Sequence, residues 1–286
     1  MVFELPELQG EIGAVYASLN GYDKTICLGI KEHYMPNQNS LLGAIISIAD
    51  KLDNIVCLFA IGKIPTGSTD PFALRRQAQG IIDTTINHSL RLDIIDTIRF
   101  CINNLKDEVK SKITEKIINE IQLFIRERLI TRINSDFRTE HDITESVCSV
   151  GAPLKDIIST IEKFKTVNES FYTNQQQLKS FLIAAKRLVR IVDLNTNGGL
   201  DIKHFTTESE KQLFNSLNEI EQKEYNSYSA LLKDLTTLTE PINLFFDKVL
   251  VNDPDPKTKQ ARQALLKKGK DLFERICDFN KIKDRS

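Results

Sequence analysis

The residues best placed for chemistry lie in one run, Pro65-Thr66-Gly67-Ser68-Thr69-Asp70-Pro71-Phe72-Ala73-Leu74-Arg75-Arg76. Asp70 is positioned to cap a helix, its carboxylate accepting a backbone N–H one or two residues on. Pro71 suits a first helical position, where its missing donor would have had no partner. That places Arg75 and Arg76 on the second turn. A short loop, a positive helix end and paired guanidiniums suit phosphate or carboxylate. The overlapping stretch Gly62 to Thr69 nearly spells a phosphate-binding P-loop, but Ser68 stands where the lysine is required and no strand precedes it. A nucleotide site is therefore not expected here.

Two other basic sets stand out. On a helix predicted over Leu178 to Val192, with Ala185 on the buried face, Lys179, Lys186 and Arg190 project about 100–140° away in a single stripe, with Arg187 beside it. Such a stripe can follow a nucleic-acid backbone, each cation neutralising one phosphate, or it can merely solvate an outer face. Near the carboxyl end, Leu265, Leu272, Ile276 and Phe279 form an apolar seam. Lys259, Lys267 and Lys270 lie opposite that seam, while Arg262, Lys268 and Arg275 flank it. Candidate rings for stacking unpaired bases are Phe171, Tyr172, Phe205, Tyr225 and Tyr228.

A hydrolytic metal site would need a His and an adjacent His-Asp pair plus a distant Asp. His33, Asp50 and Asp53 do not supply that set, and His141-Asp142 lies far downstream. His33 reads as a hydrogen-bonded packing residue, and Asp50 and Asp53 as partners for Arg75 or Arg76. No metal is assigned.

The elements that must hold these residues are helices. Leu41, Ile45, Ile48, Leu52, Ile55 and Phe59 recur at alternating steps of four and three, which predicts one apolar face of a helix over Leu41 to Phe59. A helix from Thr25 to Tyr34 precedes it, and one from Asp70-Pro71 to Asn87 follows. Leu90 to Thr139 is expected to be helical, with Phe100, Leu105, Val109, Ile113, Ile117, Ile121, Phe124 and Ile125 buried and Lys106 to Lys116 solvated. Further helices are predicted over Leu154 to Thr166, Glu208 to Leu238 and Pro256 to Phe279. Asn174 to Gln177 is a candidate cap, and Asn195-Thr196-Asn197-Gly198-Gly199 a flexible loop. No alternating strand pattern appears, so the fold class is all-α.

Composition agrees. The chain has 286 residues, 41% of them hydrophobic, no tryptophan and a net charge of −1, so it is not globally a polyanion binder. Charge is instead regional: Lys257 to Arg285 holds ten Lys/Arg against four Asp/Glu. The five cysteines are scattered without a C-x-x-C pair, which argues against a zinc or disulfide framework and for a reducing compartment. The first residues lack the base-then-apolar pattern of a signal peptide. The run Leu41 to Ile48 is too short to span a bilayer. A soluble, cytoplasmic protein is expected.

The stretch Ala49-Asp50-Lys51-Leu52-Asp53, Phe59, Gly62, Pro65-Thr66-Gly67-Ser68, Asp70 to Arg76 and Gly80-Ile81 resembles the β subunit of the bacterial tetrameric glycyl-tRNA synthetase. Phe3 to Gly10 with Gly13 and Tyr16-Ala17, and Glu32-His33-Tyr34 with Pro36, are similar to the segment that precedes it. Ala184-Ala185-Lys186-Arg187-Leu188-Val189-Arg190-Ile191 resembles the first helix of that subunit's anticodon-binding domain. Phe245 to Val251, Arg262, Leu265-Leu266, Leu272-Phe273 and Ile276 to Phe279 are similar to its carboxyl end.

The resemblance implies an HD-like helical domain at 1–90 with its amino-terminal part missing. A helical connector at 91–166 and a helical anticodon-binding domain of the arginyl-tRNA-synthetase type at 167–286 would follow. It implies a heterotetramer of two α and two β subunits. The α subunit would carry the site that joins glycine to tRNA(Gly) with ATP and Mg, so this segment would be a non-catalytic part of glycine–tRNA ligase without a cofactor of its own. The expected partners are tRNA(Gly) and the α subunit, with no membrane and no DNA. The tRNA-binding set is then Lys179, Lys186, Arg187, Arg190, Lys259, Arg262, Lys267 and Lys270, with Arg75 and Arg76 either near the acceptor end or paired with acids. The rival readings are an HD-type metal-dependent phosphohydrolase and a non-catalytic helical scaffold.

Overall fold

The protein is described by a computed structural model covering residues 5, 8–138, 141–173, 175–193 and 199–283. Among these residues the regular elements are helices, and the only strand-like pairing is an isolated bridge between Thr66 and Thr69. The expected loop at 195–198, the cap at Asn174 and part of the Phe3–Gly10 motif lie outside the described residues. Two compact units result, one of residues 1–137 with 154–159, the other of 138–153 with 160–286.

The first unit contains α1 (Glu11–Leu19), α2 (Lys24–Glu32), α3 (Leu41–Ala60), α4 (Leu74–Asn87), α5 (Ile94–Asn104), the short α6 (Asp107–Lys110) and α7 (Glu115–Phe137). The central α3 packs against α2, α4, α5 and α7. Leu52, Ile55, Val56 and Phe59 of α3 are buried against Leu74, Ala78 and Ile81 of α4 and Ile121, Ile125 and Leu129 of α7. The period-4 spacing on α7 keeps those three residues on one face. Ser40 starts α3, its hydroxyl accepting the Gly43 N–H at 3.0 Å.

Several expectations need correction. The apolar face of α3 is not covered along its whole length: Leu41 and Ile45 are 56% and 51% exposed. The helical stretch over Leu90 to Thr139 is made of α5, α6 and α7, but Phe100, expected to be buried, is exposed because α5 buries Ile94, Ile95, Ile98 and Ile102 instead. Helix α4 begins at Leu74, not at Pro71. The Asp70 carboxylate does cap it, accepting from Leu74 N at 2.8 Å and Arg75 N at 2.9 Å, but it does so across a turn at Pro71–Ala73. Ala73 takes a left-handed φ of 53° to make that turn. Arg75 and Arg76 consequently stand on the first turn. Asp70→Ala should lower the stability of the first unit by about 1 kcal/mol, read from urea unfolding followed by circular dichroism. No measurable change would mean that the loop, not the carboxylate, sets this helix start.

The second unit contains α8 (His141–Cys148), most of α9 (Ile157–Thr173), α10 (Gln175–Ile191), α11 (Glu208–Gln222), α12 (Tyr228–Thr236), α13 (Thr239–Lys248) and α14 (Pro256–Phe273). The helix expected over Glu208–Leu238 is broken. Lys223 turns extended, and the Ser227 hydroxyl accepts the Ala230 N–H to open α12. The terminal helix stops at Phe273 because the chain turns back through Glu274–Cys277 into a 3₁₀ turn at Phe279–Lys281. That turn sets Phe279 edge-on to Phe181 and Phe273, with centroids 5.1 and 5.7 Å apart. Three interlocked rings of this kind fix α10 against the end of α14.

Candidate nucleic-acid interface

Helix α10 is gripped by α12, α13, α14 and the Phe279 turn, so its buried arc is wider than a single-faced helix would show. Leu178, Phe181, Leu182, Ala184, Ala185 and Leu188 are buried, and Lys186 is caught with them at 5% exposure. Lys186 is therefore no member of an outward stripe. An exposed row is formed instead by Gln176, Ser180, Ile183, Arg187 and Arg190. Their steps of four, three, four and three confine them to an arc of about 80° at 100° per residue. A helical wheel centred on this spacing, and not on Ala185, would have found Ile183. Lys179 lies half-buried to the side of this row.

A groove of about 430 Å³ runs along it, lined by Ile183, Lys186, Arg187, Arg190 and Ile191. Each outward guanidinium is held. Arg187 stacks on the Phe246 ring at 4.4 Å and stands 3.9 Å from the Asp247 carboxylate. Arg190 Nε donates to Asn280 Oδ1 at 2.7 Å. Stacking covers one guanidinium face and leaves the N–H edge available for phosphate. Phe246, which pre-orders Arg187, carried no signal at the level of sequence beyond its place in an aromatic pair.

On α14 the predicted basic residues separate. Lys259 is exposed. Lys267 pairs with Asp271 at 3.0 Å, and Lys270 with Glu274 at 3.1 Å. Lys268, which flanks the seam, pairs with Glu221. Arg262 is 4% exposed and lies in the core. Its Nε donates to Glu210 Oε1 at 2.6 Å, Nη1 to Asp253 Oδ2 at 2.6 Å and to the Leu250 carbonyl at 2.8 Å, and Nη2 to Thr206 Oγ1 at 2.8 Å. A guanidinium so occupied and so enclosed has no edge to offer a nucleic acid, and Arg262 leaves the candidate set.

Of the aromatic candidates, Phe171 and Phe205 are buried, whereas Tyr172 is 76% exposed. Tyr225 donates its hydroxyl to Asp234 at 2.9 Å, and burial followed by that hydrogen bond pushes its phenol up to about 12. Lys163 sits 5.2 Å over the ring of Tyr228.

In the first unit, a cleft of about 520 Å³ lies between α3, α4 and the loop joining α2 to α3. Tyr34, Asp50, Lys51, Phe72, Arg76 and Asp83 are among its walls. The Lys51 stem crosses Gly80 so closely that a Cβ there would stand 2.9 Å from Cε. Burial pushes the Lys51 ammonium below its ordinary range, and the Asp50 charge partly offsets that; the ammonium also reaches the His33 and Ser47 carbonyls, both at 3.4 Å. Among the described residues neither Arg75 nor Arg76 forms an ion pair, with Asp50, Asp53 or any other acid. Arg76 is exposed on the cleft rim, and Arg75 is half-buried. His33 Nδ1 donates to the Ile30 carbonyl, 2.6 Å away, and the ring leans on Tyr34. Among the described residues no three His, Cys, Asp or Glu side chains converge as metal ligands, and no helix is long and apolar enough to cross a membrane.

Comparison with known proteins accounts for both units. Residues 1–149 match the family model described as glycyl-tRNA synthetase beta subunit. A protein of Rickettsia canadensis named glycine–tRNA ligase beta subunit is 38% identical over 99% of this chain. Proteins of the same name from Syntrophus aciditrophicus and Thermodesulfovibrio yellowstonii are 34% and 33% identical over the same share. The chain spans about 42% of the length of these relatives. With more than half of its residues in the family match and nearly all of them aligned to such relatives, the chain belongs to the glycyl-tRNA synthetase β-subunit family.

Proposed function

We propose that this chain serves tRNA recognition within glycine–tRNA ligase, with bond chemistry left to the α subunit and to the ATP and Mg that subunit uses. Membership of the β-subunit family carries the reading. Arg187 and Arg190, which line a groove together with Lys186, Ile183 and Ile191, support it, because fixed guanidiniums that keep N–H groups free suit a phosphate backbone. Residues 167–286 are the proposed anticodon-binding domain, with Arg187, Arg190 and Lys179 as principal contacts and Lys259, Lys267 and Lys270 as secondary ones. Residues 1–90 are the proposed HD-like domain, with Arg75 and Arg76 toward the acceptor end. The proposed assembly is two α and two β subunits, acting in the cytoplasm.

Filter binding of the chain to tRNA(Gly) and to the same tRNA with a changed anticodon tests this. A reader of unpaired bases should bind the changed tRNA at least tenfold more weakly, since the base-edge hydrogen bonds it forfeits are not replaced. Equal binding of the two at physiological salt would remove anticodon reading from the chain.

A further inference from the structure

The cleft between α3 and α4 gathers polar side chains that the fold itself leaves unused. Asp50 and Asn54 line it from α3. Four residues apart, they lie about 40° from one another at 100° per residue and share one face. Both are half-buried, and among the described residues neither side chain makes a hydrogen bond or an ion pair. Arg76 lines the same cleft from α4 and likewise has no partner among the described residues. The remaining charged groups of the wall are committed. Asp83 stands 2.8 Å from Arg132 Nε and accepts from Gln79 Nε2 at 3.0 Å. The Lys51 ammonium donates to Ser47 Oγ.

Two rings stand at the same recess, Tyr34 at 51% exposure and Phe72 at 44%. The His33 ring leans on Tyr34 with centroids 4.2 Å apart, which restrains it. A volume of about 520 Å³ suits a small organic ligand, whose sites run from about 300 to 1,000 Å³. One unpaired carboxylate is too few to hold a metal ion. A bare anion would satisfy Arg76 but be repelled by Asp50. The occupant must therefore bring neutral donors for Asp50 and Asn54, an anionic group for Arg76, and a flat face for a ring. None of the lining residues belongs to Gly62–Thr69, so the site is separate from the loop whose likeness to a P-loop fails.

We infer that this cleft binds a ribonucleoside monophosphate, either free or as the 3′-terminal nucleotide of an RNA. The vicinal 2′- and 3′-hydroxyls donate to the Asp50 carboxylate, with the Asn54 amide beside them. The phosphate meets the Arg76 guanidinium at the rim, and the base stacks on Tyr34 or Phe72. Stacking of this kind tolerates any base, so the rings do not select one. Only the RNA source rests on the tRNA-recognition reading; a free nucleotide needs nothing beyond the cleft.

Equilibrium dialysis of the full chain against the four ribonucleoside 5′-monophosphates is the test. At least one should bind with a Kd below about 1 mM. Asp50→Asn should weaken it by about tenfold or more, and the 2′-deoxy ligand should lose a similar factor on the wild type but little on Asp50→Asn. Arg76→Gln should weaken the monophosphate by about tenfold and leave the nucleoside unchanged, a split that a disturbed fold would not produce. Neither side chain has a partner to lose, so the melting temperature should hold in both variants. Competition with tRNA(Gly) separates the sources: displacement by the intact tRNA but not by tRNA lacking its 3′-terminal nucleotide assigns an RNA end, and displacement by neither assigns a free nucleotide. The anticodon comparison by filter binding reports on the second unit, so its failure would leave this inference standing. Binding of none of the four nucleotides, binding indifferent to both substitutions, or phenylalanine bound in their place overturns it.

Discussion

Arg262→Met is expected to destabilise the second unit by about 3–5 kcal/mol at pH 7, the cost of leaving a buried partner charge uncompensated. Glu210 is the partner that suffers. It is 0% exposed and already committed at the start of α11, where Oε2 accepts the Thr206 and Thr207 N–H groups at 2.8 and 2.6 Å. Its other oxygen takes Arg262 Nε. Burial alone would push this carboxyl up, but the hydrogen bonds from Arg262 and from Thr207 and Thr206 outweigh burial and hold it below the ordinary value of 4.5.

The sign of the pH dependence follows. A carboxyl with a folded value below its unfolded one contributes stability that is complete above about 4.5 and drains away as pH falls through the folded value. Without Arg262 the burial effect dominates and Glu210 gains by protonation, so the gap between wild type and Arg262→Met should narrow as pH falls from 7 to 4. Urea titrations at both pH values measure this. A gap below about 1 kcal/mol at pH 7 would show that the pair is dispensable. Arg262→Met with Glu210→Gln should recover part of the loss, since the amide removes the stranded charge.

Arg187→Glu with Arg190→Glu should weaken tRNA(Gly) binding by a factor on the order of 10² at 0.1 M salt. The slope of log affinity against log salt should also become shallower by about one for each phosphate no longer neutralised. The substitutions also remove the Arg187 stack on Phe246 and the Arg190 hydrogen bond to Asn280, surface contacts worth about 1 kcal/mol each, so the second unit should lose a few degrees of melting temperature and stay folded at the assay temperature. A melting transition that stays well above the assay temperature separates impaired tRNA binding from impaired folding. Lys186→Glu would not allow that separation, because Lys186 is enclosed and a carboxylate there would disturb the packing around Ala185. If the double reversal on α10 binds tRNA(Gly) like the wild type, the row at Gln176–Arg190 is not the tRNA-binding surface.

Much of the fold was legible because helices announce themselves locally. The four-and-three spacing on α3, the Asp70 cap and Asp255-Pro256 at the start of α14 each depend on residues within a turn or two of one another. Boundaries failed where a distant partner decided them. Ser227 opens α12 while Lys223 and Tyr225 are drawn to Asp234 across the break, and the last helix yields to a turn because Phe279 is needed between Phe181 and Phe273. A periodic pattern cannot report a break that long-range packing stabilises.

The sequence by itself determined that the protein is all-helical, which stretches form its helices, and through the Asp70–Arg76 run and its companions which family it belongs to. Tertiary structure alone decided which cations face solvent. Arg262 and Lys186 have the same local character as Arg190, yet two are enclosed and one is outside. Tertiary structure likewise decided that Leu41 and Ile45 stand uncovered at the end of a stripe that elsewhere is core. The reason is geometric: 100° per residue assigns a side chain to a face of its own helix, whereas burial depends on what other helices cover that face.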